Sequence, residues 1–362
     1  MKVWIVWLPN VWKSSLFNVL TKSYSADAQN FPFCTIEPNT WIVNVNDERL
    51  LLLQKAVSWE KIIPATTEFV DIAWIVEWAS KWEWLWNKFL ANIREADAIL
   101  QVVRIFEDTN VHHVSWNLNP KRDLEIINAE LILADLETLE RRMWETDKKA
   151  RWWDKESKAK MEVYTKLKPF LESGSLAIDL ELDEEERSLL KDLYLLTNKP
   201  FVYACNVWEN QLNLTERELK TLLWVDNPST RVLPISVKME LDMLDFSDAD
   251  REEYLASYWI TWNPTDNLIK TCYESLGLQY YFTAWEIEVR AWTIKKWWKA
   301  PQAAWRIHTD FEKKFIKADV VNWKDLVDCS WWTKARELWK VRMEWKDYIV
   351  QDWDVMLFKF WA

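Results

Sequence analysis

Val6-Trp7-Leu8-Pro9-Asn10-Val11-Trp12-Lys13-Ser14-Ser15 follows the short apolar run Val3–Val6 and leads into a helix-like stretch, Ser14–Leu20. Its frame is G-x-x-x-x-G-K-[ST], the pattern of a phosphate-binding loop, with Trp at both glycine positions. Such a loop turns backbone N–H groups inward around a phosphate and ends at a helix N-terminus. Here the wrapping segment is Asn10, Val11, Trp12, Lys13, Ser14 and Ser15. Lys13 stands where a cation meets the β- and γ-phosphates, and Ser14 where a hydroxyl reaches Mg²⁺.

The missing loop glycines belong to a wider pattern, because the chain has 2 Gly and 30 Trp in 362 residues. Average usage leads one to expect roughly 25 glycines. Trp also falls at turn signals, as in Gln351-Asp352-Trp353-Asp354, and in pairs amid charges, as in Arg151-Trp152-Trp153-Asp154. Those are glycine environments, where φ > 0 or close backbone approach is needed. Most of these tryptophans therefore stand where a folding chain has Gly. Trp292, Trp323 and one of Trp331 and Trp332 lie in strand-like or amphipathic surroundings and read as true aromatics.

The length allows two or three domains and a large core. No apolar run reaches the roughly 20 residues that span a bilayer, and the N-terminal apolar stretch, interrupted by Pro9, is too short for a signal peptide. Cys34, Cys205, Cys272 and Cys329 are far apart and show no metal spacing, which predicts reduced thiols and a cytoplasmic location. A net charge of −11 argues against broad nonspecific nucleic-acid binding.

Short apolar runs recur at Val3–Val6, Trp41–Val45, Thr67–Val70, Ala98–Val103, Phe201–Cys205 and Val232–Ile235, with helical segments between them. This spacing predicts an α/β fold, a doubly wound and mostly parallel sheet with helices on both faces. Ligands of such sheets bind beyond the carboxyl ends of the strands. Between about Leu124 and Asn198 the rhythm changes. Leu124, Ile127 and Leu131, then Leu136, Leu139 and Met143, are spaced three to five apart among charges, and Met161, Tyr164, Leu167 and Leu171 repeat the pattern. An inserted antiparallel helical hairpin is expected, with Pro169 ending or kinking its second helix. From Leu278 a small α+β module follows. Ala303–Phe315 reads as helical, and Tyr348-Ile349-Val350 with Val355–Phe358 reads as a final hairpin. The resulting division is 1–123 with 199–277, 124–198, and 278–362.

Three further pieces follow the phosphate loop in order. Val70-Asp71-Ile72-Ala73-Trp74 ends a strand with an Asp able to hold Mg²⁺ through water and, with Trp74 read as Gly, is the D-x-x-G switch of P-loop GTPases. Thr35 lies between the loop and Asp71, where a switch Thr reaches Mg²⁺. Asn206-Val207-Trp208-Glu209 follows a buried-looking strand, where these proteins carry the base-reading N-K-x-D. The pattern departs from a GTPase in two ways. Guanine offers N1–H and N2–H₂, which the Asp of N-K-x-D accepts as a pair; Val207 and Glu209 lose that match and permit adenine, which offers a donor at N6 and an acceptor at N1. Ile75 stands where Ras-like proteins orient water with Gln.

Asn30-Phe31-Pro32-Phe33-Cys34-Thr35-Ile36-Glu37-Pro38-Asn39, Asn87–Arg94, Ala300-Pro301-Gln302-Ala303-Ala304 and Ile307-His308-Thr309-Asp310-Phe311-Glu312-Lys313 resemble the YchF type of Obg-like ATPase over nearly the whole chain. The resemblance implies a P-loop NTPase domain, an inserted helical hairpin (a coiled coil) and a C-terminal TGS domain of β-grasp shape. It implies an Mg²⁺-dependent ATPase that prefers ATP to GTP, with ADP as product, a hydrophobic residue at Ile75, and a catalytic His in the segment matching Val111–Ser115. That alignment selects His113. It also implies ribosome association, with the hairpin and TGS domain as docking surfaces and Lys295-Lys296 as a candidate RNA contact. Ser236-Val237-Lys238 matches the Ser-Ala-Lys that meets the base, and Val237 keeps the backbone N–H. A GTPase of ribosome assembly, or a nucleotide-stabilised binding module without turnover, are the competing readings.

Overall fold

A computed structural model describes residues 1–7, 13–24, 40–57, 61–71, 94–106, 119–150, 154–285 and 288–361. The chain divides into two compact units. The first is built on a six-stranded sheet of order β2-β4-β1-β5-β6-β7, with β1 (Lys2–Trp7), β2 (Thr40–Val45), β4 (Ala65–Asp71), β5 (Ala98–Arg104), β6 (Phe201–Asn206) and β7 (Arg231–Ile235). β1 pairs in parallel with β4 and with β5, and the parallel register continues through β6 to β7. All six strands coincide with the apolar runs named above. Every residue of β5 and β6, which pair in parallel on both sides, is buried. After β1 the chain builds one flank and then crosses to β5 on the other. The carboxyl end of β1 therefore lies at the point where strand order reverses.

Two long helices, α3 (Pro120–Ala150) and α4 (Lys155–Glu172), lie against one face of this sheet. Asn119 caps α3 by accepting the Arg122 N–H at 3.1 Å, with Pro120 at the first helical position, where its missing N–H costs nothing. Leu124, Ile127 and Leu131 of α3 and Val163, Tyr164, Leu167 and Leu171 of α4 share one buried cluster with Trp4, Val6, Ile99, Val103 and Tyr203. The base of the helix pair is thus core. Pro169 does not end α4, which runs three residues further and is closed by Ser173 N–H donating to the Pro169 carbonyl at 3.1 Å.

The second unit takes in the described residues within 42–67 and 269–362, so the division between the units runs through β2 and β4. Its sheet has the order β11-β10-β12-β8-β9-β3, with β3 (Lys61–Ile63), β8 (Leu278–Trp285), β9 (Glu288–Lys295), β10 (Phe315–Asn322), β11 (Arg342–Glu344) and β12 (Asp354–Phe360). β8 and β9 form an antiparallel hairpin, while β12 is antiparallel to β10 and parallel to β8. The expected hairpin of 348–350 with 355–358 is not formed. Tyr348–Val350 instead exchanges backbone hydrogen bonds with Trp298 and Ala300, which leaves β12 to β10 and β8. The expected helix 303–315 is two helices, Ala300–Ile307 and Thr309–Lys313, broken at His308, whose extended backbone and Nδ1 acceptor cap the second.

Backbone geometry separates the tryptophans. Trp224, Trp259, Trp297 and Trp339 have φ of 57°, 62°, 72° and 56°, in the left-handed region that favours glycine. All four rings are at least 72% exposed. Trp332 is buried and donates from Nε1 to the Ala284 carbonyl at 3.0 Å, and Trp292 Nε1 donates to Thr283 Oγ1 at 2.9 Å. Of Trp331 and Trp332, it is Trp332 that packs as a core aromatic.

Candidate functional site

The phosphate-loop frame spans a strand-to-helix junction. β1 ends at Trp7, which is buried, and α1 (Lys13–Tyr24) begins at Lys13. Lys13 and Ser14 therefore open the helix, where backbone N–H groups lack intrahelical partners and favour an anion. Ser15, one residue on, is half-buried. Asn10, Val11, Trp12, Thr35 and His113 lie outside the described residues. Asp71 is the last residue of β4, the strand beside β1.

Two strands across the sheet, Asn206 ends β6 and is buried. Its Oδ1 accepts the Val237 N–H at 3.2 Å, and its carbonyl accepts the Ile105 N–H at 2.9 Å. Val207 N–H donates to the Ile235 carbonyl at 2.9 Å, and this side chain is buried. Ser236 follows β7, is buried, and caps the helix Val237–Asp242. Glu209 opens a one-turn 3₁₀ helix after Trp208. One carboxylate oxygen of Glu209 lies 2.9 Å from Lys238 Nζ. That hydrogen bond to Glu209 raises the Lys238 ammonium above its ordinary pKa. The Trp208 ring packs at 4.7 Å from Phe106, and Lys238 Nζ lies 5.4 Å from its centroid. The sequence named Asn206, Val207, Glu209 and Ser236. It did not name the Lys238–Glu209 pair or the Phe106–Trp208 contact, whose only signal was a Lys two residues after Ser236.

Lys13, Ser14, Asp71, Asn206, Glu209 and Ser236 thus lie at or just beyond the carboxyl ends of four parallel strands of one sheet. Ser14 and Asp71 are residue types with hard oxygen donors, the chemistry that suits a cation such as Mg²⁺, which takes one or two protein oxygens and completes its shell with phosphate and water. Among the described residues no cluster of three His, Cys, Asp or Glu could hold a metal unaided. No helix among them is long and apolar enough to cross a membrane.

This arrangement defines a P-loop NTPase, and comparison with known proteins agrees. Residues 2–163 match the family model described as 50S ribosome-binding GTPase, and residues 278–361 match the YchF GTPase C-terminal model, described as a protein of unknown function. The chain belongs to the YchF family. It is 45% identical to the ribosome-binding ATPase YchF of Bacillus subtilis, over 98% of each chain. It is 40% identical to Obg-like ATPase 1 of Xenopus laevis, over 99% of this chain and 92% of that one. The solved YchF GTPase of Schizosaccharomyces pombe superposes with a TM-score of 0.85 at 31% identity, covering 99% of this chain and 97% of the other.

Proposed function

We propose that this chain is an Mg²⁺-dependent ATPase that binds ATP in preference to GTP and acts as a slow conformational switch on the ribosome, in the cytoplasm. Its relatives named ribosome-binding ATPase support the activity and the partner. The observation that carries the nucleotide preference is the occupation of the base-reading position by Asn206, Val207 and Glu209, with Glu209 paired to Lys238.

In this reading the backbone from Asn10 to Ser15 cradles the phosphates and Lys13 neutralises the β- and γ-oxygens. Ser14, Thr35 and Asp71 would hold Mg²⁺, which would supply charge neutralisation for the phosphates when bound. Water attacks in line, and His113 contacts that water or its proton, because Ile75 cannot. The nucleotide domain is 1–123 with 199–277. The hairpin 124–198 and a TGS domain, 278–362, carry the ribosome and RNA contacts, Lys295 and Lys296 among them. Indoles at 7 and 12 would stop the loop from closing on phosphate, so the reading applies to a chain with glycine at both positions.

Equilibrium binding of fluorescent ADP and GDP with Mg²⁺ tests it, in the chain as it stands and with Trp7→Gly and Trp12→Gly. Preference for ADP in the substituted chain supports the proposal. Preference for GDP favours a ribosome-assembly GTPase, the reading that the matched 50S ribosome-binding GTPase model suggests. Binding of neither in the substituted chain overturns the motif reading, and nucleotide binding without turnover favours the nucleotide-stabilised module.

A further inference from the structure

We propose that Lys238 biases the base selectivity of this site by holding the Glu209 carboxylate in an ion pair, so that a guanine edge must compete with the ammonium for the acid. The inference rests on the ATP-preferring reading and names the residue that enforces it. Reading guanine takes two carboxylate oxygens at once, one for N1–H and one for N2–H₂. Lys238 Nζ occupies one oxygen of Glu209 at 2.9 Å. The Glu209 side chain is only 14% exposed, so its carboxylate has little room to swing clear of Lys238. Adenine needs a single acceptor for its N6 amino group, and the second oxygen remains for it. Glu209, one methylene longer than the Asp of N-K-x-D, already departs from the guanine match, and the ammonium adds a competitor for the oxygens that remain.

The lysine is placed by the elements that place the base-reading Asn. It is the second residue of the helix Val237–Asp242, capped by the Ser236 hydroxyl and fixed to β6 through Asn206 Oδ1 and Val237 N–H. Trp208, between Asn206 and Glu209, offers its ring to the same ammonium at 5.4 Å. Asp242 and Tyr258 also face Lys238 electrostatically and help to keep it charged. The Lys238 side chain itself is 48% exposed, so replacing it opens no cavity.

The test uses the full chain carrying Trp7→Gly and Trp12→Gly, with Lys238→Met and Lys238→Arg added separately. Dissociation constants for ADP and GDP are measured by competition against a fluorescent nucleotide. Lys238→Met is expected to shift the GDP-to-ADP affinity ratio toward GDP by about tenfold, the scale of one bidentate base contact. Lys238→Arg keeps a cation on Glu209 and is expected to leave the ratio near that of the parent. An unchanged ratio in Lys238→Met, in a parent that prefers ADP, overturns the role of Lys238 and leaves the ATPase reading standing. A parent that prefers GDP, or binds neither nucleotide, overturns the ATPase reading and this inference with it.

Discussion

Asp135 in α3 and Thr197, 62 residues apart, are joined by two hydrogen bonds to one carboxylate oxygen, from the Thr197 N–H at 2.8 Å and from its hydroxyl at 2.7 Å. The other oxygen accepts the Leu196 N–H at 2.8 Å, so one buried carboxylate closes the chain's return toward β6. Burial raises the Asp135 pKa to about 6 although these donors and Arg94 pull it down. A pKa above the unfolded value of about 3.9 means that the native state holds the extra proton. The stabilisation is full below about pH 4 and is lost as pH rises through 6, by about 3 kcal/mol. Urea unfolding of the parent and of Asp135→Asn between pH 4 and 7 should show this slope in the parent alone. Asp135→Ala should cost about 2–4 kcal/mol near pH 4, because two buried backbone N–H groups lose their acceptor, and less as pH rises and the parent itself loses stability.

The left-handed tryptophans predict stabilisation. Trp339→Gly and Trp297→Gly should each add about 1 kcal/mol to unfolding free energy, since each removes a side chain from a conformation that penalises any Cβ. Trp332→Gly should do the reverse and cost about 3–5 kcal/mol, because it empties a buried site and strips the Ala284 carbonyl of its donor. Thermal and urea unfolding of the three variants checks both signs, and equal effects would remove the distinction drawn between these positions.

In the second unit, Arg49 in α2 (Glu48–Val57) donates to Asp47 at 2.7 Å, to Tyr280 Oη at 3.2 Å and to the Asp352 carbonyl at 3.0 Å. Burial would raise the Asp47 pKa, but hydrogen bonds from Arg49 and Tyr280 and the Arg49 charge outweigh it and hold it low. A depressed pKa contributes stability above about pH 4 that is lost as pH falls further. Arg49→Ala leaves a nearly buried carboxylate without its cation and should cost about 3 kcal/mol at pH 7. That deficit should shrink below pH 4, where protonation relieves the orphaned Asp47. A deficit independent of pH would mean that packing, not charge, is what Arg49 contributes.

The centre of the sheet was legible because parallel strands such as β5 and β6, buried on both faces, read as unbroken apolar runs, and all six runs are strands. The hairpin helices were legible from the spacing of Leu124, Ile127 and Leu131. Three features depended on partners far along the chain. Residues 348–350 have strand-like side chains, but their backbone bonds go to Trp298 and Ala300. β3 joins β9, more than 200 residues away, through three register pairs starting at Lys61 and Glu288. Glu209 could be placed after β6 by its motif, yet its pairing with Lys238 needed β7 and the helix that follows to come alongside. Trp331 and Trp332 were indistinguishable by pattern, and only burial and a hydrogen bond separate them.

The phosphate end of the site yields the sharpest functional test. In the chain with Trp7→Gly and Trp12→Gly, Lys13→Ala should weaken ATP binding by about 10–100-fold, the worth of charge-assisted hydrogen bonds to phosphate. His113→Ala should instead leave binding nearly intact and slow single-turnover hydrolysis by about 10²-fold or more, the scale of a lost general acid or base. A contact made only in the transition state lowers the chemical rate without weakening the ground state. The two variants therefore separate cleanly when binding and single-turnover rates are measured on the same protein. If His113→Ala hydrolyses ATP at the parental rate, the catalytic role assigned to His113 falls, and another group must orient the water that Ile75 cannot.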